Sequence, residues 1–430
     1  MKEVSSMKVL VVGSGGREHA VITALSRSEE IDHIYCAPGN GGIAALAECV
    51  GIKATDVEGM TAFAREHADF CVVTPDDPLA LGMVDAMEAA GIPCFGPNKN
   101  AAIIEASKAF SKELMHKYGI PTAEYEIFDD PDKLIARLRE RNTYPAVLKA
   151  DGLALGKGVL IAKTEEEAVE AVKELMVDKT FGASGNKVVL EEFMTGPEVS
   201  VLAFTDSHVI CPMVSSQDHK RALDGDKGLN TGGMGTIAPN PHYTDEIAAR
   251  CMKEIFVPTM NAMNAEGRPF KGCLYFGLMI TPDGPKVVEY NCRFGDPETQ
   301  VVLPLLETDL FTIMKAVHDE TLADVKIEWK DAACACVIEA SGGYPSSYQK
   351  GFVIYGLDGS GQYPGVTVYH AGTVLKDGHY ETSGGRVLGI SAVGETLTEA
   401  LDKAYAVVGK VGFDHMHYRT DIGRKEKDHS

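Results

Sequence analysis

Long apolar runs and paired cysteine motifs are both missing from this sequence. No uninterrupted apolar run approaches the ~18 residues that a membrane-spanning helix needs. The first residues have no signal-peptide layout, because the apolar run at positions 9–12 is far too short. The ten cysteines are scattered without a CxxC pair, which favours buried thiols over a metal or redox site. We therefore expect a cytoplasmic protein that does not associate with membranes.

Positive charge is also scarce. Lys and Arg number 41 against 62 Asp and Glu, which gives a formal net charge of −21. General nucleic-acid binding needs a basic face, so we expect no nucleic-acid partner. Small anionic substrates are still compatible with this charge if a few local cations bind them. The Lys and Arg residues beside glycines are therefore the candidates for binding such substrates.

Strands and helices alternate in the first part of the chain. Buried strands at positions 7–13, 34–37 and 70–74 are separated by helical stretches, which predicts a parallel α/β sheet. A single helix is expected over 100–118. From 332 onward the pattern is typical of short strands and hairpins with one helix. The length of 430 residues favours two to four domains.

The middle of the chain mixes helices with strands. The strands are expected at positions 146–150, 159–163, 187–193 and 199–205. Turn-rich segments at 215–240 and 291–300 interrupt this region. Long loops inside compact domains are usually functional or disordered, so these two segments are candidate parts of a site.

The first glycine cluster contains Gly13, Gly15, Gly16 and Arg17. It lies between a strand and a helix, where free backbone N–H groups and the helix dipole bind anions, so we expect a phosphate site. A dinucleotide site would need a third glycine at Glu18 and an acid after the second strand, and the sequence has neither. A tight turn with no ligand is the alternative interpretation.

A second glycine-rich stretch follows Lys149. Its spacing is not that of a Walker loop, and Gly158 replaces the Ser or Thr that would hold Mg²⁺. Since a strand follows, we interpret residues 156–158 as a flap that folds over a triphosphate. The strand at 188–193 offers backbone groups to an adenine, and Glu198 could hold ribose hydroxyls.

Glu289 and Asn291 carry the most specific signal. They are two apart on a predicted strand, so their side chains share one face. Oxygen ligands on one face suit Mg²⁺ that bridges nucleotide phosphates, and Arg293 would reach a transferring phosphoryl group. Residues 216–221 join an acid to adjacent cations, and the glycine turn at 230–235 can wrap a small ligand.

With these motifs the chain resembles the phosphoribosylamine–glycine ligase (glycinamide ribonucleotide synthetase) family of ATP-grasp enzymes, from about residue 7 to 423. The resemblance rests on residues 13–19, 37–40, 149–152, 156–158, 216–221, 230–235, 291–300, 370–373 and 384–388. Two departures are visible. The sequence Thr74-Pro75-Asp76 stands where the family usually has Gly-Pro-Glu, and the strand at 274–279 carries no acid. The metal would therefore depend on Glu289 and Asn291.

The resemblance implies an α/β architecture of three domains. These are an N-terminal parallel α/β (pre-ATP-grasp) domain at 7–107, a two-part ATP-grasp domain at 108–330 and a small C-terminal α+β domain at 331–424. The flap subdomain is expected at about 124–195. The implied reaction joins glycine to 5-phosphoribosylamine, with ATP as co-substrate and Mg²⁺ or Mn²⁺ as cofactor, in purine biosynthesis. We expect a monomer, with a dimer as the alternative.

The resemblance also implies roles for individual residues. The implied catalytic residues are Arg293, Lys149, Asp218 and Lys220. The implied ATP-binding residues are Lys108, Lys149, Gly156, Lys157, Gly158, Glu191, Phe193 and Glu198. The implied substrate-binding residues are Gly13, Gly15, Gly16, Arg17, Asn40, Pro75, Asp218, His219, Lys220, Gly232, Gly233, Arg293 and Asp296. The implied metal ligands are Glu289 and Asn291.

Three other functions are open at this point. A related ATP-grasp carboxylase would use bicarbonate and would not need glycine. A nicotinamide oxidoreductase could be built on the N-terminal strand–helix unit, although the ribose-binding acid is missing. A non-catalytic nucleotide sensor would not need Glu289 or Arg293, and both are present.

Overall fold

The computed structural model describes residues 6–153 and 158–424. A parallel sheet lies at the N-terminal end, two four-stranded sheets lie in the middle, and an antiparallel sheet is built mainly from the C-terminal residues. Within the described residues, no helix combines the length and the apolar character that crossing a membrane requires.

The N-terminal region is a five-stranded parallel sheet. Its strands are β1 (Met7–Gly13), β2 (Ile31–Pro38), β3 (Glu48–Cys49), β4 (Phe70–Val73) and β5 (Cys94–Phe95). The strand order is β3-β2-β1-β4-β5, and its helices are α1 (Gly16–Leu25), α2 (Val57–His67), α3 (Asp76–Leu81) and α4 (Met83–Ala89). Leu10 and Val12 on β1 belong to one buried cluster, and Val9 and Val11 belong to another. Both faces of the sheet are therefore covered, which explains the continuous apolar run of β1.

Two helices occupy the segment where one helix was expected over 100–118. They are α5 (Lys99–Ala106) and α6 (Lys108–Tyr118). Ser107 between them has φ −134° and ψ 112°, and its Oγ accepts a hydrogen bond from the N–H of Phe110. The expectation of one continuous helix is wrong, because Ser107 caps a new helix instead of continuing the first.

The middle region contains two four-stranded antiparallel sheets. The first has the order β6 (Tyr125–Phe128), β9 (Val188–Glu192), β7 (Ala146–Ala150), β8 (Val159–Ala162), and its helices are α7 (Pro131–Arg141) and α8 (Glu165–Val172). The second has the order β11 (Ile210–Pro212), β10 (Glu198–Thr205), β16 (Gly272–Thr281), β17 (Gly284–Asn291), and α9 (Asp245–Cys251) and α10 (Val257–Ala265) belong to the same region. Lys149 on β7 donates a hydrogen bond of 3.0 Å to the carbonyl oxygen of Val288 on β17. This bond joins the two sheets at the cleft between them.

The last sheet takes strands from two distant parts of the chain. The two early strands are β12 (Gln217–Asp218) and β15 (Gly235–Ala238), and the hairpin β13 (Arg221–Leu223) and β14 (Lys227–Asn230) lies between them. The later strands are β18 (Ala333–Ser341), β19 (Thr367–His370), β22 (Arg386–Gly394) and β23 (Met416–His417), with the hairpin β20 (Thr373–Lys376) and β21 (His379–Thr382). The order is β12-β15-β18-β22-β19, and β23 pairs with β18. The helices from residue 299 onward are α11 (Thr299–Val302), α12 (Leu310–His318) and α13 (Leu397–Tyr405).

This topology carries the turn-rich segment at 215–240 into the C-terminal sheet. The predicted fold class, with an N-terminal parallel sheet, a two-part middle and a small C-terminal unit, is confirmed. The exact boundaries at 107/108 and 330/331 stay a prediction. Asp218 lies in β12, and Gly233 lies shortly before β15. Because β15 pairs with both β12 and β18, these two residues lie beside the C-terminal region, at the site described below.

Candidate active site

Glu289 and Asn291 lie on strand β17, at the end that borders the cleft. Glu289 is opposite Gly277 of β16, and a Cβ on Gly277 would come within 3.0 Å of the Glu289 side chain. The glycine therefore leaves room for the carboxylate. Asn291 is buried, and its Oδ1 accepts a hydrogen bond of 3.1 Å from Nη2 of Arg293. The structure thus brings both predicted metal ligands and the predicted catalytic arginine together.

Several cations surround Glu289. Burial alone would raise the pKa of its carboxyl, but Lys220, Lys149, Lys108 and Arg293 together hold that pKa below its usual value. The nearest is Lys220, whose Nζ lies 3.7 Å from Glu289 Oε1 and 3.6 Å from Glu198 Oε2. Glu289 is therefore ionised at neutral pH and lies in a cluster of four positive side chains. Such a cluster is suited to the negative charge of a triphosphate.

Lys149 belongs to a buried triad that joins helix α6 to the first middle sheet. Oε2 of Glu191 lies 3.0 Å from Lys149 Nζ and 3.1 Å from Lys112 Nζ. All three side chains are nearly inaccessible to solvent, at 6%, 3% and 3% for Lys149, Lys112 and Glu191. Burial lowers the pKa of Lys112 to about 8, although the Glu191 carboxylate opposes that shift. Lys112 also donates to Thr122 Oγ1 at 2.8 Å, so both lysines are fixed at the cleft.

Residues just before the predicted flap contact helix α6. Lys108 Nζ donates a hydrogen bond of 2.8 Å to the carbonyl oxygen of Gly152, and the Asp151 carboxylate accepts one of 3.1 Å from the N–H of Ala109. The predicted nucleotide ligands Gly156 and Lys157 lie outside the described residues.

The remaining predicted nucleotide ligands border the same cleft. Gly158 immediately precedes β8, and Glu198 is the first residue of β10. Phe193 follows β9, and its side chain is an exposed aromatic surface. An exposed ring beside the last residues of β9 is suited to contact with a nucleobase.

Asp218 is an acid without a hydrogen-bond partner for one of its oxygens. Its Oδ1 is buried, and none of the described residues donates to it. Burial and the nearby Glu298 carboxylate raise the pKa of Asp218 well above its usual value, while Lys220 and Arg386 oppose the shift. An unsatisfied buried acceptor is costly, which makes this oxygen a candidate for receiving a donor from a ligand.

The ring of His219 contacts backbone groups on both sides. Its Nδ1 lies 3.0 Å from the carbonyl oxygen of Gly235, and its Nε2 accepts a hydrogen bond of 3.1 Å from the N–H of Gly423. Burial lowers its pKa, so the ring is neutral and ties β12 to the C-terminal end of the chain. Both of these hydrogen bonds go to backbone groups of residues that were not among the predicted site residues.

Arg386 at the start of β22 links the glycine turn to the loop after β17. Its Nη1 donates to the carbonyl oxygens of Gly232 at 2.7 Å and Asp296 at 2.8 Å. Gly233 has φ +120°, and a Cβ there would lie 2.5 Å from Asp218 Oδ1. Only glycine therefore fits between this turn and the Asp218 carboxylate.

The N-terminal glycine loop contacts the same region. The N–H of Gly15 donates to Glu18 Oε2, and the N–H of Arg17 donates to Asp296 Oδ2 at 3.2 Å. A Cβ on Gly13 would lie 2.5 Å from the Glu18 side chain, and one on Gly16 would lie 2.6 Å from Gln300 Nε2. Two N–H groups that we expected to face a phosphate thus bind carboxylates. The loop's role in phosphate binding stays a prediction.

A polar cavity of about 370 Å³ opens between this loop and the C-terminal region. Its walls are Ser14, Gly15, Gly39, Asn40, Asp296, Ala371, Gly372, Thr373, Ser383, Gly384 and Arg386. Asn40 lies in the wall, but its side-chain amide holds the carbonyl oxygens of Ser14 and His370 at 2.9 and 2.8 Å. Pro75 immediately precedes α3 and is not part of this wall.

Four residues that border the site were not predicted from sequence. Glu105 pairs with Arg293, Lys112 pairs with Glu191, Arg386 holds Gly232, and Glu298 accepts from Tyr275 Oη at 3.1 Å. Lys112 follows Lys108 by four residues, so a helical face shared with a predicted ligand was an available signal. Glu298 and Arg386 lie within the motifs at 291–300 and 384–388 that carry the family resemblance, so a signal was available for them too. Glu105 lies in a distant segment, and no local pattern indicates its contact with Arg293.

The donor set for a metal is small. Among the described residues, no group of three or more His, Cys, Asp or Glu side chains is placed to hold an ion. Glu289 and Asn291 offer hard oxygen donors, which fit Mg²⁺ or Mn²⁺ if phosphate oxygens or water complete the coordination. The Lys220 ammonium lies beside the Glu289 carboxylate, so this carboxylate has a positive neighbour in the structure.

Two facing antiparallel sheets with lysines, an arginine and a Glu-x-Asn pair in the cleft define an ATP-grasp enzyme. The same fold is found in the biotin carboxylase domain of the 2-oxoglutarate carboxylase of Hydrogenobacter thermophilus, solved with MgADP. That structure has a TM-score of 0.71 and 18% identity and covers 96% of this chain and 91% of its own. At this identity the likeness concerns the fold alone.

Sequence comparison identifies the family within this class. Three models of phosphoribosylglycinamide synthetase match, with the N domain at residues 7–105, the ATP-grasp (A) domain at 106–299 and the C domain at 334–425. The chain therefore belongs to the phosphoribosylglycinamide synthetase family.

Two relatives agree with this family over nearly the whole chain. A phosphoribosylamine–glycine ligase of Caldanaerobacter subterraneus subsp. tengcongensis is 48% identical over 97% of this chain and 99% of its own. The crystal structure of phosphoribosylamine–glycine ligase from Thermotoga maritima has a TM-score of 0.85 and 32% identity, and it covers 96% of this chain and 99% of its own.

Proposed function

We propose that this protein catalyses the ATP-dependent ligation of glycine to 5-phosphoribosylamine in purine biosynthesis. The products are glycinamide ribonucleotide, ADP and phosphate. The family and its relatives, which are named for this ligation, support the proposal. The structural observation that carries it is the cluster of Lys220, Lys149, Lys108 and Arg293 around Glu289. This cluster is suited to neutralising a triphosphate and a carboxylate at the same place.

The chemistry explains why ATP is needed. A carboxylate is a poor electrophile because its leaving group would be oxide. A glycine carboxylate oxygen attacks the γ-phosphorus of ATP, ADP leaves, and glycyl phosphate forms. The amine of 5-phosphoribosylamine then attacks the carbonyl carbon, loses a proton, and expels phosphate together with the oxygen that came from glycine. Catalysis in such a reaction is mostly positioning and charge neutralisation.

Lys149 and Arg293 neutralise the oxygens of the transferring phosphoryl group. Lys149 is held at the cleft by Glu191 and by the carbonyl oxygen of Val288, at 3.0 Å each. Arg293 follows β17 and lies beside Asn291. Both cations are therefore fixed before substrate arrives, which avoids ordering them during the reaction. Lys108 at the start of α6 supplies further positive charge to the nucleotide.

Glu289 and Asn291 would hold the divalent cation of the nucleotide. When bound, Mg²⁺ or Mn²⁺ offsets the charge of the triphosphate. The oxygen donors of these two residues fit either ion. Lys220 stays near Glu198 and contributes its charge beside the ion.

Asp218 is the receptor for the ammonium group of glycine. Its buried Oδ1 receives no hydrogen bond within residues 6–153 and 158–424, and an ammonium supplies both a donor and a positive charge. The charge of Lys220 acts on Asp218, and we expect this lysine to face the carboxylate of the same glycine. This arrangement distinguishes an amino acid from bicarbonate, which has no ammonium group.

The polar cavity of about 370 Å³ holds the phosphosugar. Asp296 in its wall offers a carboxylate acceptor for ribose hydroxyls, and Asn40 fixes this wall through the carbonyl oxygens of Ser14 and His370. The N-terminal glycine loop is proposed to face the 5-phosphate. The chain is expected to act as a monomer in the cytoplasm.

A phosphate-release assay tests the proposal. Purified protein with ATP and Mg²⁺ should release phosphate only when glycine and 5-phosphoribosylamine are both present. Since 5-phosphoribosylamine is short-lived, it is generated in the reaction from ribose 5-phosphate and ammonia. Bicarbonate in place of glycine is the control for a carboxylase. Release that follows bicarbonate, or that does not depend on glycine, would reject the ligase assignment.

A further inference from the structure

Glu105 forms a buried ion pair with the catalytic arginine. Its Oε1 lies 2.9 Å from Nη2 of Arg293, and the two side chains are only 8% and 18% exposed. Glu105 lies near the end of α5, just before the break at Ser107. The break starts a separate helix, α6, whose Lys108 binds the carbonyl oxygen of Gly152. The end of α5 therefore contacts Arg293, and the start of α6 contacts Gly152, which precedes the predicted flap.

The same carboxylate also holds the backbone beside Arg293. Oε2 of Glu105 accepts a hydrogen bond of 2.7 Å from the N–H of Cys292. Its two oxygens thus bind two consecutive residues, one through backbone and one through the guanidinium. Asn291 Oδ1 completes the fixation from the strand side, at 3.1 Å from the same Nη2. Three contacts therefore fix Arg293: Glu105 with its guanidinium, Glu105 with the backbone N–H of Cys292, and Asn291 with its guanidinium.

Burial and charge make this contact selective for a guanidinium. Burial raises the pKa of Glu105, while Arg293 and the N–H of Cys292 favour its ionised form. A buried carboxylate is costly unless it is paired and hydrogen-bonded, so Glu105 favours the conformation in which Arg293 stays beside it. The Nε of Arg293 is buried and has no acceptor in the part of the chain that the structure describes.

We propose that Glu105 is a positioning residue that holds Arg293 in the geometry needed for phosphoryl transfer. This inference rests on the proposed function, because it takes Arg293 to act on the transferring phosphoryl group. Glu105 does not touch substrate and acts only through Arg293 and its backbone. Its loss should therefore lower kcat and leave the binding of ATP nearly unchanged.

The first measurement is the kinetics of Glu105→Gln. The amide keeps the size of the side chain, but NH2 replaces one of the two oxygens, so either the Cys292 N–H or the Arg293 guanidinium loses its acceptor. We expect kcat to fall by roughly 10- to 100-fold, because a misplaced catalytic group costs about that much. The KM for ATP should change less than about twofold. Glu113→Gln, at an exposed position on α6, is the matched control and should behave as wild type.

The second measurement separates positioning from general damage to the loop. Glu105→Gln is introduced into an Arg293→Lys background, where a lysine cannot reproduce the guanidinium contact. If Glu105 acts through the guanidinium, Glu105→Gln should lower kcat by less than about twofold in that background. Equal losses in both backgrounds, or a normal kcat for Glu105→Gln in the wild-type background, would overturn the inference.

The wild-type protein distinguishes this failure from failure of the proposed function. If wild type shows no glycine-dependent phosphate release, the ligase assignment fails. If wild type is active and the two losses multiply, only the positioning role of Glu105 fails. Thermal unfolding of each variant, compared with Glu113→Gln, shows whether the folded fraction accounts for any loss.

Discussion

The Lys220 ammonium lies 3.7 Å from Oε1 of Glu289, across the cleft between the β12 segment and β17. The charges of Glu198 and Glu289 raise the pKa of Lys220 well above its usual value, against the effect of burial. The lysine is thus charged at neutral pH. The predicted metal ligand therefore already has a cationic neighbour from another part of the chain. When substrate binds, the charged side chains that are already paired in this cleft have to change partners.

Glu289→Gln should lower turnover at least about 100-fold. The variant keeps the shape of the side chain but loses the charge that would bind the cation of the nucleotide, which contributes several kcal/mol. Initial rates at limiting Mg²⁺ test this, with Glu246→Gln at an exposed position of α9 as the control. Near-normal activity of folded Glu289→Gln would refute the metal assignment.

Lys112→Met should destabilise the protein and weaken ATP binding. The change leaves Glu191 with Lys149 as its single cation, so Lys149 is less able to turn toward phosphate. Removing one partner of a buried ion pair costs about 3–5 kcal/mol, and because Lys149 still pairs with Glu191 we expect a loss near the lower end. Denaturant unfolding and the KM for ATP are the measurements. Lys117→Met on the same helix removes a largely exposed ion pair and should change both much less. Similar effects of the two substitutions would contradict the role of the buried triad.

Asp218→Asn should raise the KM for glycine by about tenfold or more, because a bound ammonium would favour the ionised form of Asp218 and an amide cannot form that ion pair. The KM for ATP should change little. Varying each substrate in turn at saturating levels of the others gives both constants. A glycine KM that stays within twofold of wild type would place the ammonium site elsewhere.

Glu339 on β18 should make stability depend on pH. Burial raises the pKa of Glu339 to about 8, and its Oε2 has no partner among the residues that the structure describes. An unfolded glutamate has a pKa near 4.3. The contribution of protonated Glu339 to the free energy of unfolding is therefore fully present below about pH 4 and is lost as pH rises toward 8.

Glu339→Gln resembles the protonated form at every pH. We expect it to be more stable than wild type by about 3 kcal/mol at pH 7 and to approach wild type near pH 4. Thermal unfolding midpoints at several pH values between 4 and 8 provide the measurement. Parallel curves for the two proteins would show that Glu339 is not responsible.

Local motifs made part of the site predictable. Glu289, Asn291 and Arg293 are close in sequence, so strand spacing alone places them together, and the structure agrees. The parallel N-terminal sheet follows from buried strands that alternate with helices. In both cases the information lies within a few residues of the chain.

Contacts between distant segments were not predictable in this way. Glu105 meets Arg293, and Arg386 meets Gly232, only because separate regions pack together. The helix break at Ser107 was missed because a short polar residue inside an amphipathic stretch does not by itself predict a cap. The entry of β12 and β15 into the C-terminal sheet depends on strand pairing that hydrophobic periodicity does not specify.

The path of one oxygen atom tests the central claim most directly. If the glycine carboxylate is phosphorylated, the bridging oxygen of glycyl phosphate comes from glycine and leaves with phosphate when the amine attacks carbon. Glycine labelled with heavy oxygen in its carboxylate is used as substrate, and the released phosphate is analysed by mass spectrometry. The account predicts one labelled oxygen in phosphate for each glycinamide ribonucleotide formed. Unlabelled phosphate would mean that water or the sugar amine receives the phosphoryl group, and it would contradict the acyl-phosphate mechanism.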